Sequence, residues 1–249
     1  MKDRIKNLLN RLLSSDALLV ISVPLIAAIF TIAFMNFSDM RTVNQKLEDG
    51  TYHVEKYMFK VDKKTHQLSI IKPVSATGYF IEHNKRVFFI TNAHVCQGFT
   101  ILTISKVNKD GLPEAKGAIK VIGASKKYDL CIVELNNKYD KSWKPKALKL
   151  ALKEPKYMDK AYTYGYPLRF GGVHRSGYFL NIINQASLGK VLGIHVPVVF
   201  GQSGSPVVNE KGEVVCTVFA MPRATTTLGY CQQTYKLFEL LGKIEGLKL

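Results

Sequence analysis

Residues Gly201-Gln202-Ser203-Gly204-Ser205-Pro206-Val207-Val208 form a run of small turn residues that enters an apolar strand. A glycine two positions before a serine lets the chain turn sharply and lets the backbone approach a bound group unobstructed. Two other stretches set polar side chains at the ends of apolar strands. Thr91-Asn92-Ala93-His94-Val95 follows Val87-Phe88-Phe89-Ile90, and Tyr128-Asp129-Leu130-Cys131-Ile132-Val133 opens with an acid. A serine hydroxyl is a weak nucleophile and needs a neutral imidazole to take its proton. The imidazole needs a carboxylate to fix its tautomer and to stabilise the imidazolium that forms. Backbone N–H groups must face the developing oxyanion. His94, Asp129 and Ser203 supply the first three parts, and the N–H groups of Gly201 and Ser203 are placed to supply the last.

Working outward from these motifs, the chain reads as strands. From about residue 68, short apolar and β-branched runs alternate with turn residues: QLSIIKPV, TGYFIEH, RVFFITNA, FTILTISKV, AIKVIGAS and LCIVEL. After the polar stretch NNKYDKSWKPK a second series begins, including YFLNIINQA, KVLGIHVPVVF and SPVVNEKGEVVCTVFA. Runs of this length and spacing predict an all-β sandwich or barrel pair. His83-Asn84-Lys85 and Asn209-Glu210-Lys211-Gly212 read as hairpin turns. The end of the chain differs: Tyr235, Leu237, Leu240, Leu241, Ile244 and Leu247 recur at helical spacing, with charged residues between them. That pattern predicts an amphipathic helix packed on the β body.

The three motifs together resemble those of trypsin-like (chymotrypsin-fold) serine peptidases, and most of all the HtrA/Deg branch. That branch carries its histidine in a strand pair of the type G-x-G-F-I followed by T-N-x-H-V. Here Thr77-Gly78-Tyr79-Phe80-Ile81 precedes Thr91-Asn92-Ala93-His94-Val95. Asp129-Leu130 matches the branch's aspartate, and Gly201 to Val208 match its G-x-S-G-G-P turn, with Ser205 in place of the second glycine. Gly165-Tyr166-Pro167 is similar to the family's Gly-x-Pro before the second barrel. The resemblance covers roughly residues 70–235. It implies two six-stranded-type antiparallel β-barrels with a C-terminal helix, the first over residues 67–145 and the second over 146–249. His94 and Asp129 would come from the first barrel and Ser203 from the second. It implies a serine endopeptidase, active without propeptide clipping, acting on protein or peptide substrates through an acyl-enzyme. Pro197 stands where an acid would signal a preference for Lys or Arg. Val218, Phe219 and Ala220 would lie near the specificity pocket, which points to an apolar or small residue before the cut. His195 could line that pocket or serve the strand. No PDZ domain is expected after the second barrel, and Cys216 stands where the substrate-binding strand usually has glycine.

Residues 17–35, ALLVISVPLIAAIFTIAFM, hold 19 residues without a charge. About 20 apolar residues cross the hydrocarbon layer as a helix. The run is longer than a signal peptide's apolar region and ends in residues poor for cleavage. The sequence therefore predicts a single transmembrane anchor over 17–37, after a cytoplasmic tail over 1–16 and before a stalk over 38–66. Four basic residues precede the span and only Arg41 and Lys46 closely follow it. This bias sets the N-terminus in the cytoplasm and the catalytic domain outside, in the periplasm of a two-membrane cell.

The net charge of +16 sits almost wholly after the apolar segment. It favours anionic surfaces, but no dense basic run interleaved with aromatics marks a nucleic-acid motif, so nucleic acid is not an expected partner. Cys96, Cys131, Cys216 and Cys231 include no CxxC pair, so no zinc or other metal site is expected, and the triad chemistry needs no cofactor. Three of the four cysteines lie in apolar runs, where buried free thiols are the plain expectation, and pairing cannot be read from spacing alone. Two other functions compete with the peptidase. A tethered binding module with a vestigial triad would keep the fold without the chemistry. An α/β-hydrolase would read Gly201 to Ser205 as a nucleophile elbow, but that motif wants glycine at Ser205 and the chain order Ser, Asp, His.

Overall fold

The computed structural model describes residues 42–61, 64–97, 100–107, 113–135, 145–169, 171–185, 188–222 and 227–244. Contacts divide the chain after Thr42. The expected tail over 1–16 and membrane anchor over 17–37 lie outside the described residues. Among the described residues, no helix is long and apolar enough to cross a membrane.

The unit from Val43 onward has two halves. The first is a closed barrel of antiparallel strands in the order β1-β2-β3-β6-β5-β4. The strands are β1 (Thr51–Val61), β2 (Leu68–His83), β3 (Arg86–Thr91), β4 (Thr100–Val107), β5 (Pro113–Ser125) and β6 (Leu130–Leu135). Pairing of β1 with both β2 and β4 closes the ring. This corrects the expected stalk over 38–66: residues 42–50 form a helix, α1, and Thr51–Val61 is a barrel strand. The strand escaped the sequence pattern because Thr51 and His53 are buried beside Tyr52 and Val54, so apolar and polar residues do not alternate with burial. At the β2–β3 hairpin, Asn84 and Lys85 both adopt left-handed backbone, with φ of 50° and 62°. That is the twist a two-residue hairpin loop requires.

The second half holds β7 (Lys149–Leu150), β8 (Lys160–Gly165), β9 (Val173–Gln185), β10 (Gly189–His195), β11 (Pro206–Val208), β12 (Glu213–Ala220) and β13 (Gly229–Gln233). They form one sheet in the order β11-β8-β9-β10-β13-β12-β7. β11 also pairs with β12, so six of these strands pair in a ring, and β7 adds to β12 in parallel.

Three apolar clusters hold this arrangement. One fills the first barrel, around Tyr52, Val54, Phe80, Phe89, Ile104 and Val133. A second lies inside the other half, around Phe179, Leu192, Ile194, Val207 and Val218. The third joins the halves: Tyr79, Ile81, Phe88, Ile90, Leu130 and Ile132 from the barrel meet Tyr162, Tyr164, Tyr166, Val208 and Val214 from the sheet. Val43 and Leu47 of α1 enter this joint, as do Leu237, Leu240 and Leu241 of the final helix α3 (Thr234–Lys243). Burying a side chain such as Leu47 contributes about 1.5–3 kcal/mol. Leu237, Leu240 and Leu241 behave as their helical spacing predicts, while Tyr235 stays exposed and Leu247 lies outside the described residues. Lys236 is buried instead. Its ammonium lies 5.1 Å from the centre of the Tyr128 ring and donates to the Lys190 carbonyl, so it keeps polar contacts where it is enclosed.

The joint also has a polar tie. The phenol of Tyr79 on β2 and the hydroxyl of Thr217 on β12 share a hydrogen bond of 2.7 Å. Burial pushes the Tyr79 phenol well above its ordinary value, so it stays neutral and hydrogen-bonded.

Candidate active site

The register of β3 and β6 brings the first two motif residues together. Thr91 at the end of β3 is the partner of Cys131 near the start of β6. His94, three residues past Thr91, and Asp129, two residues before Cys131, therefore leave the barrel at the same edge. His94 sits on a single helical turn, α2 (Ala93–Cys96), whose Val95 and Cys96 amides donate to the Asn92 carbonyl. Its ring Nδ1 is 2.7 Å from Asp129 Oδ2, and its backbone N–H donates to Asp129 Oδ1 at 2.9 Å. Both carboxylate oxygens are thus committed to one residue, which fixes ring and backbone together. The ring presents Nδ1 to the acid, the arrangement that leaves Nε2 as the acceptor in the neutral tautomer.

Asp129 reaches this position with a left-handed backbone, φ 49°. Non-glycine residues adopt that conformation at a cost and persist in it where surroundings hold them. Two contacts do so here. The buried Asn92 side chain donates to the Asp129 carbonyl at 2.9 Å, and the Asp129 amide turns back to the Lys126 carbonyl. A disulfide between Cys96 and Cys131 then joins the two segments, each cysteine lying two residues beyond a motif residue. A second disulfide, Cys216–Cys231, links β12 to β13. All four cysteines are paired, which corrects the expectation of buried free thiols. Spacing could not show it, because partners 35 and 15 residues apart meet only through strand pairing.

The turn carrying Ser203 is held by backbone geometry. Gly201 has φ 94°, and a Cβ there would lie 2.4 Å from the Tyr166 carbonyl oxygen. Gly204 has φ 88°, and a Cβ there would lie 2.0 Å from the Thr77 carbonyl oxygen. Only glycine fits either position. Thr77 of β2 clamps the turn from the opposite half. Its amide donates to the Ser203 carbonyl at 2.8 Å, and its hydroxyl donates to the Gly201 carbonyl at 2.8 Å and accepts from the Tyr166 amide at 3.0 Å. Gln202 is buried and accepts from the Val199 amide at 2.9 Å and from Arg175 at 3.1 Å, while Arg175 also donates to the Pro197 carbonyl. Among the described residues, the Gly201 and Ser203 amides donate to no protein acceptor.

His94 and Ser203 line one cleft of about 560 Å³ between the two halves. Asp129 stands behind His94. On one side the wall is apolar: Val198, Val199, Phe200, Phe219, Ala220 and Met221. On the other it comes from β1, β2 and α2: Lys56, Met58, Val74, Ser75, Ala76 and Val95. Of the expected pocket residues, Phe219 and Ala220 line the cleft. Val218 does not: it is 1% exposed and packs in the second-half core. Alternate residues of a strand face opposite ways, so three in a row cannot share a wall unless the strand bulges. The register shift between Val218 and Ala220 is that irregularity, and it turns Phe219 and Ala220 together toward the cleft. Pro197 is exposed and contributes its carbonyl to Arg175 rather than a wall. His195 is exposed at the end of β10, paired with Tyr178, and lines no part of the cleft.

Sequence reasoning missed Lys56, Thr77 as a clamp, Arg175 and the wall at 198–200. Thr77 carried a signal, since it directly precedes Gly78 in the run Thr77-Gly78-Tyr79-Phe80-Ile81. The others carried none that local pattern could reveal. Among the described residues, no group of three or more His, Cys, Asp or Glu side chains is placed to hold a metal ion.

Comparison with known proteins agrees with the fold. The Rv3671c protease from M. tuberculosis, in its active form, superposes with a TM-score of 0.64 at 18% identity, over 83% of this chain and 85% of that one. The HtrA-type protease AlgW with a decapeptide gives 0.68 at 14% identity, over 84% and 68%. Deg5 gives 0.61 at 13% identity, over 81% and 91%. At these identities the likeness is one of fold. No curated protein matches the sequence. A profile of the trypsin-like peptidase domain matches residues 76–216, more than half of the chain and a span that contains His94, Asp129 and Ser203. The chain belongs to the trypsin-like peptidase domain family.

Proposed function

We propose that this protein is a serine endopeptidase that cleaves peptide bonds through an acyl-enzyme on Ser203. The observation that carries the reading is the 2.7 Å contact of His94 Nδ1 with Asp129 Oδ2 at the edge of the cleft that Ser203 also lines. In this mechanism His94 Nε2 takes the proton of the Ser203 hydroxyl as its oxygen attacks the scissile carbonyl carbon. Asp129 stabilises the imidazolium without taking its proton. The Gly201 and Ser203 amides donate to the oxyanion of the tetrahedral intermediate. His94 then protonates the leaving amine, and water repeats the sequence to release the acid. The apolar wall of Val198, Val199, Phe219, Ala220 and Met221 supports an apolar or small residue before the cut.

The protein acts, on this reading, as a single-pass membrane protein anchored by residues 17–37, with its N-terminus in the cytoplasm and the catalytic domain outside. The uncharged run supports the anchor. Two disulfides support an oxidising compartment. The +16 charge supports contact with an anionic surface.

Ser203→Ala tests the assignment. Peptide hydrolysis by the full-length protein is expected to fall roughly ten-thousand-fold while circular dichroism is unchanged. Turnover near that of the wild type would remove Ser203 as nucleophile and favour the binding-module alternative or another site.

A further inference from the structure

The β1–β2 wall of the cleft carries a charge that the catalytic scheme does not use. Lys56 lies on β1, paired with Leu102 of β4 and Val74 of β2. Its ammonium donates to the His94 carbonyl and to the Gln97 carbonyl, each at 2.8 Å. These carbonyls are neutral, and among the described residues no carboxylate pairs with Lys56. An ammonium has three N–H donors, so one remains. The side chains beside it in the cleft, Met58 and Val74, are apolar. Burial alone draws the Lys56 pKa below its ordinary value, as expected of a charge that has lost water without gaining a counter-ion.

The position of this charge says which part of a substrate would meet it. In the proposed reaction the wall at 198–201 and 219–221 takes the residue before the cut. Lys56 stands on the opposite wall, tied to the His94 and Gln97 carbonyls, so a substrate whose acyl side fills the apolar wall turns its leaving segment toward it. A carboxylate there would complete the third hydrogen bond and neutralise a half-buried cation. An amide or apolar side chain would leave that cation uncompensated.

We propose that Lys56 is a specificity-determining residue that selects an acidic side chain at the first or second position after the scissile bond. The inference rests on the peptidase reading and names the substrate class for it. The test uses full-length protein in detergent and matched peptides that differ only in carrying Asp, Asn or Lys at those two positions. Wild type is expected to cleave the best-placed Asp peptide roughly tenfold faster in kcat/KM than its Asn counterpart, as a charge-assisted contact allows. Added salt is expected to shrink that ratio without lowering cleavage of the Asn peptide. In Lys56→Met the ratio is expected to fall to about one, in Lys56→Arg to persist, and in Lys56→Glu to turn in favour of the Lys peptide. A wild type that cleaves these peptides with no preference for Asp overturns the inference. So does a Lys56→Met variant that slows on all peptides alike, which would make Lys56 only a positioning residue for α2. Failure of the reading beneath it looks different: no peptide is cleaved, and an organophosphonate leaves Ser203 unlabelled.

Discussion

The two sides of the cleft are held by different means. On the barrel side, side chains position His94 and Asp129: the carboxylate takes two N–H groups from one residue, Asn92 holds the aspartate's carbonyl, and a disulfide ties both segments. On the sheet side, the turn around Ser203 is a backbone construction. Two glycines at positive φ let the chain pass close to Tyr166 and Thr77, and Thr77 pins two of the turn's carbonyls from the barrel. The turn that carries Ser203 is therefore held in part by the half of the molecule that carries His94.

The largest effect that would break this comparison is expected at Gly204. Alanine there places a Cβ 2.0 Å from a backbone oxygen in a conformation with φ 88°. Such a change costs more than about 3 kcal/mol. Thermal melting of Gly204→Ala is expected to show a large drop or no folded protein; a near-wild-type melt would mean that the turn is not fixed as described.

The disulfides offer a sharper contrast. Opening Cys96–Cys131 with Cys96→Ser and Cys131→Ser removes a link across 35 residues, worth about 3–4 kcal/mol in the chain-entropy account. Opening Cys216–Cys231 in the same way removes one across 15 residues, worth about 3 kcal/mol. Both pairs of changes lower the melting temperature. Only the first is expected to lower kcat as well at a temperature where the variant is fully folded, because only that link joins the segments of His94 and Asp129. Equal kcat in the two variants would contradict a positioning role for it.

The smallest of these effects is expected from Thr77→Val. It keeps the backbone bond to Ser203 but removes the hydroxyl that serves Gly201 and Tyr166. Two buried groups lose a partner, at a cost of about 2 kcal/mol. If the clamp orients the oxyanion donors, kcat falls while KM for a short peptide changes little. A variant that loses stability but keeps kcat would make Thr77 a purely structural tie.

Legibility in the sequence divides along similar lines. The strands from about residue 68 and the three polar motifs are local patterns; the structure carries strands over the first, and strand register brings His94 and Asp129 of the second to one edge. The first barrel strand was illegible because burial of Thr51 and His53 breaks the alternation of Thr51–Val61. The disulfides and the cleft walls depend on register between distant strands. Val218 illustrates this: Phe219 and Ala220 after it line the cleft, yet a bulge that no residue type announces decides which side each one faces. Lys56 was one lysine among many until β1 was known to run beside α2.

The central claim is that the Ser203 hydroxyl is made reactive by His94 across the cleft. The most direct measurement is mass spectrometry of the folded full-length protein after exposure to an organophosphonate, beside the His94→Ala variant. The account predicts one adduct, on Ser203, in the wild type and almost none in the variant. An unlabelled wild type, or equal labelling in both proteins, would contradict it.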